Sequence, residues 1–126
     1  MGEEHMFVFG LRTAQVAQLK ALGYDPRLYV EENLQLRNVI EALGSGTFCY
    51  HEPERYKGLV YNLMQRDPYF LMADFGSYVR TQLEVDALFA NRAAWAERAL
   101  RNIAGMGPFS VDRTIGQYIE QVWCPR

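Results

Sequence analysis

The sequence is poor in the side chains that carry most enzyme chemistry. Among its 126 residues there are two lysines, Lys20 and Lys57, two histidines, His5 and His51, and two cysteines, Cys49 and Cys124. Cysteines this few and this far apart exclude a disulfide framework and make a reduced, cytoplasmic compartment the expectation. No apolar run approaches the roughly 20 residues that a membrane-spanning helix needs. Basic residues do not outnumber acidic ones: 13 against 15, a net charge of -2. Composition therefore argues against a nucleic-acid surface and against a polybasic membrane anchor. The acidic start, Met1 to Met6, does not read as a signal peptide.

What remains is an ordinary globular composition, 49% apolar and 22% charged, in a length that makes one domain, residues 1–126. Met6–Phe9, closed by Gly10, reads as a short strand buried on both faces, and Tyr69–Ala73 as a second. Between and after them the apolar spacing predicts helices. Thr13, Asp25 (followed by Pro26), Asn33, Asp74, Asn91 and Ser110 stand as N-caps, and Gly23 and Gly44-Ser45-Gly46 as stops. Phe48-Cys49-Tyr50 reads as a loop or bent strand, and Pro125 as the end of the last helix. The expectation is a mostly helical α/β chain of about six helices and two short parallel strands. Two parallel strands cannot make a sheet covered on both faces, so the pattern itself points to an incomplete sheet and a piece of something longer.

The chemistry-bearing residues form no convincing constellation. Glu31-Glu32, Glu52 with Glu54, and Glu84 with Asp86 are paired carboxylates, but all lie in polar helix starts or flanks where nothing desolvates them. Cys49-x-His51 lacks metal-site spacing, and fixes no nucleophile–base geometry. Gly44-Ser45-Gly46 and Gly105-Met106-Gly107 follow helices rather than strands, the wrong context for a phosphate cradle. Neither Lys20 nor Lys57 sits where burial would turn it into a Schiff-base lysine. Trp95, Tyr118 and Trp123 fall on faces expected to point inward. Arg113, in the first turn of the last helix, opposes the helix dipole and calls for a partner, Asp112, another acid or something outside the chain. No catalytic, cofactor-binding or metal-ligating residue is assigned.

Several separated motifs nevertheless occur in a recognisable order. They are Gly2-Glu3-Glu4, Phe7-Val8-Phe9-Gly10, Gly23-Tyr24, Ser45-Gly46, Phe48, Asp74, Tyr78, Val85-Asp86, Trp95, Arg101-Asn102-Ile103-Ala104, Gly107, Phe109-Ser110, Asp112-Arg113-Thr114-Ile115, Tyr118 and Trp123. With them the chain resembles, along essentially its whole length, the C-terminal end of the α-glucan phosphorylases. Val111, in place of a second serine, and Cys49-Tyr50-His51, in place of a Ser-Pro type turn, depart from that pattern. The resemblance implies part of the C-terminal Rossmann-like domain of a GT-B glycosyltransferase. The parent enzyme would phosphorolyse α-1,4-glucans to glucose 1-phosphate, with pyridoxal phosphate on a lysine upstream of the matched stretch. The implied partners are the missing N-terminal part and, for the parent, α-glucan and phosphate. The chain alone is expected to be catalytically inert and prone to self-association through exposed apolar edges. The alternative is an independent helical interaction module derived from such a tail.

Overall fold

A computed structural model describes residues 5–124; the acidic start through Glu4 and the stop at Pro125 lie outside the described residues. Two compact units are present. A central unit runs Phe9–Gln82, and a terminal unit combines the residues before Phe9 with those from Leu83 onward.

In the central unit, α1 spans Thr13–Leu22, α2 Pro26–Glu32, α3 Leu34–Gly44 and α4 Lys57–Gln65, and α5 begins at Leu71. Local polar chemistry sets most of these ends. The Arg12 N–H donates to Gln15 Oε1 at 2.8 Å, which closes α1 one residue before the cap expected at Thr13. Asp25 accepts the Arg27 N–H at 3.0 Å, with Pro26 pre-set at the first helical position. Asn33 accepts the Leu36 N–H at 3.1 Å. After α3 the chain turns at Gly46, whose φ of +81° favours glycine and where an added Cβ would stand 2.7 Å from Pro53 Cβ. The segment through Tyr50 is built of turns.

The core is small. Val30, Leu36, Ile40 and Met72 are buried together, with Tyr29, Val60, Leu63, Met64 and Phe75 packed around them. Leu36 is 2% exposed, whereas Leu34 on the same helix is 67% exposed. The apolar stripe of α3 thus meets α2, α4 and the start of α5 along one side only.

Both expected strands are absent among the described residues. Tyr69–Ala73 is not a strand: α5 starts at Leu71 and continues as one helix to Ala90. A short apolar run cannot by itself be told from a buried helix start. The deciding influence is Asp67, which takes two amides of the first turn of α5 and seeds the helix. Asp74, expected as the cap, instead lies inside that first turn. Met6–Phe9 forms no strand either, because no described neighbour offers a ladder for its backbone. The chain is therefore mostly helical, and the two parallel strands are corrected to a helix start and an irregular segment.

In the terminal unit α6 spans Arg92–Ala104, capped by Asn91 accepting the Ala94 N–H at 3.1 Å. A 3₁₀ turn, Gly107–Phe109, leads to α7, Val111–Tyr118, which runs on as a π-helical turn, Ile119–Trp123. Ser110 caps α7 by accepting the Arg113 N–H at 3.3 Å. The Arg113 side chain donates to the Pro108 carbonyl at 2.9 Å, so its partner is the preceding turn rather than an acid. The apolar face of α7 does not point inward as expected. Ile115, Tyr118, Ile119, Val122 and Trp123 are all exposed, and no described residue from Leu83 on is buried. A helix this short is marginal in water without packing for its apolar face.

Candidate functional site

Each sequence candidate has a definite place, and the structure gathers none of them into a reacting centre. Glu31, Glu32, Glu84 and Asp86 are exposed. Glu52 and Glu54 are exposed and engaged locally, Glu52 with Arg55 at 3.0 Å and Glu54 with Lys57 at 2.6 Å. Exposed pairs of this kind contribute little to stability. Cys49 is half-buried, while His51 and Cys124 are exposed. Among the described residues no three His, Cys, Asp or Glu side chains cluster as metal ligands would. Gly105-Met106-Gly107 serves the turn between α6 and α7.

Two places carry geometry beyond this. The first is a polar knot in the central unit. Asp67 is 1% exposed, and its carboxylate accepts the Tyr24 hydroxyl at 2.5 Å, the Leu71 N–H at 3.0 Å and the Met72 N–H at 2.8 Å. Asp67 and Phe70 both take positive φ, 30° and 61°. Phe70 offsets that strain by burying its ring against Tyr24, 4.7 Å between centroids. A carboxylate holding three donors is a structural anchor, since three of its roughly four acceptor sites are already used. In the sequence Asp67-Pro68 has the form of a chain break, which masks the role of Asp67. The signal was an aspartate immediately before an apolar run, the ordinary mark of a helix start.

Burial pushes the Tyr24 phenol far above its usual range, reinforced by its hydrogen bond to Asp67 and by the charge there. The unfolded chain releases this proton near pH 10, while the folded chain retains it. The contribution of Tyr24 to stability is thus complete below pH 10 and is lost as pH rises above it. Urea midpoints measured from pH 8 to 11 should fall above pH 10, and Tyr24→Phe should shallow that fall. An unchanged slope in the variant would contradict the assignment.

The second place is a cavity of about 160 Å³ in the terminal unit, lined by His5, Phe7, Trp95, Arg98, Ala99 and Asn102. Phe7 stacks on Trp95 at 6.4 Å, and the Arg98 guanidinium lies 4.4 Å from the Phe7 centroid. Phe89 meets Trp95 edge-on at 5.1 Å. These contacts already occupy the aromatic surfaces. Asn102 donates from Nδ2 to the His5 carbonyl at 2.8 Å, and its buried Oδ1 has no partner among the described residues. Among the described residues that line the cavity there is no nucleophile beside a base and no carboxylate pair.

A pyridoxal phosphate site would require a lysine ready to form a Schiff base. Lys57 is exposed and paired with Glu54, and exposed Lys20 lies over the Phe70 ring at 5.6 Å. Neither is held in a pocket that would desolvate it, so the residues present do not fit that cofactor. Among the described residues no helix is long and apolar enough to cross a membrane.

Comparison with known proteins gives a consistent result. The family model for carbohydrate phosphorylase matches residues 1–124. The human muscle form of glycogen phosphorylase is 41% identical over 122 residues, which cover 97% of this chain and 14% of that protein. Glycogen phosphorylase of Haemophilus influenzae is 42% identical over 123 residues, 98% of this chain and 15% of that protein. The mouse brain form is 38% identical over 122 residues. The chain thus spans about one seventh of the length of the curated relatives it matches.

Proposed function

Because the chain belongs to the carbohydrate phosphorylase family, we propose that it serves as the C-terminal part of an α-1,4-glucan phosphorylase and is catalytically inert alone. The parent reaction transfers the terminal glucosyl unit of an α-glucan to phosphate, giving glucose 1-phosphate and a glucan shorter by one residue. The observation that carries this reading is similarity along 97% of this chain to only 14% of a glycogen phosphorylase. In the parent, this stretch would complete the cofactor-side domain of a GT-B enzyme in the cytoplasm. The pyridoxal phosphate lysine, the phosphate ligands and the glucan site would all lie in the missing N-terminal part.

The test is a phosphorolysis assay with glycogen, phosphate and added pyridoxal phosphate. The chain alone should release no glucose 1-phosphate above the blank. A longer polypeptide ending in this chain should release it. Release by the isolated chain would overturn the inert reading, and no release by the longer polypeptide would overturn the proposed activity.

A further inference from the structure

An open apolar groove of about 310 Å³ lies over the core of the central unit. Leu36, Ile40 and Met72 are its buried floor, while Phe9, Val39 and Leu71 on its rim are each between 44% and 48% exposed. The one ionisable group with a carboxylate in its lining, Asp74, is already engaged, accepting the Leu11 N–H at 2.8 Å. A concave apolar surface of this kind calls for an occupant.

We propose that the groove seats the apolar face of a helix from the part of the phosphorylase polypeptide outside these 126 residues. The inference rests on the family reading given above and adds the surface and the kind of segment that meets it. The length of chain outside the structure argues for this occupant, since the relatives carry this region as only 14% of their length. The lining argues for a helix. A strand docked here would find almost no partner for its unpaired backbone groups, whereas a helix satisfies its own and offers side chains alone.

Hydrogen exchange on the longer polypeptide and on the 126-residue chain tests the proposal. Amides of α3 from Leu36 to Leu43 should exchange at least about tenfold more slowly in the longer polypeptide. Val39→Asp in that polypeptide should return them to the rates of the shorter chain. Leu28→Asp, at a residue 54% exposed and outside the groove lining, should not. Leu71→Gln provides an uncharged second variant should Val39→Asp fail to fold, and it should also remove the extra protection. Equal exchange in both proteins overturns the proposal. So does a Val39→Asp effect confined to separating dimers of the shorter chain, which would assign the groove to a second copy. Glucose 1-phosphate release by the longer polypeptide separates the two readings. An active enzyme with an unprotected groove refutes the docking alone, and an inactive one with a protected groove refutes the activity alone.

Discussion

Leu36→Ala lowers the unfolding free energy of the chain by about 3 kcal/mol, within the range for large-to-small changes in cores. Leu36 is 2% exposed and touches the small set of side chains that form the core, Val30, Ile40 and Met72 among them. Removing its branched end forfeits the transfer energy of the lost carbons and leaves a void beneath the groove. Leu34, two residues earlier on α3, is 67% exposed and makes the matched control. Leu34→Ala should change stability by no more than about 0.5 kcal/mol. Urea unfolding followed by far-ultraviolet circular dichroism reads both. Equal shifts in the two variants would mean that the central unit has no specific core at this position.

Asp67→Ala is the second large effect, a loss of about 2–4 kcal/mol. It leaves the buried Met72 amide, and the partly buried Leu71 amide and Tyr24 hydroxyl, without their acceptor. It also places alanine at a φ of 30°, a region where aspartate and asparagine are better tolerated. Asp67→Asn keeps the backbone preference and part of the acceptor capacity, so it should lose about half as much. The effect should be localised: exchange at Leu71 and Met72 should quicken in Asp67→Ala before the rest of α5 is affected. If the two variants match the parent chain, the buried carboxylate is not what starts α5.

These two residues mark the limit of what could be read in advance. Asp25, Asn33, Asn91 and Ser110 were legible as caps because each binds an amide two or three residues ahead. Asp67 answers to Tyr24, 43 residues earlier in the chain, and no local pattern reports such a contact. The false strand at Tyr69–Ala73 has a local cause: the apolar run suits either structure, and the Asp67 carboxylate just before it takes the first amides of the helix. On the last helix, spacing placed Tyr118 and Trp123 inward, yet both are exposed. Periodicity tells which face wants cover, not whether cover is present within the same 126 residues. For the candidate site, scarcity was the legible fact: two lysines and two histidines leave little with which to build a reacting centre.

On the proposed reading these residues are one portion of a larger folded enzyme, with a buried core in the central unit and exposed apolar helix faces in the terminal unit. Differential scanning calorimetry of the isolated chain tests it most directly. A complete domain of 126 residues should absorb about 90 kcal/mol at its midpoint, at roughly 0.7 kcal/mol per residue. The expected result is a broad transition well below that value, carried by the central unit. A single sharp transition of the full enthalpy from a monomer would contradict the claim, because the chain would then be a self-sufficient module.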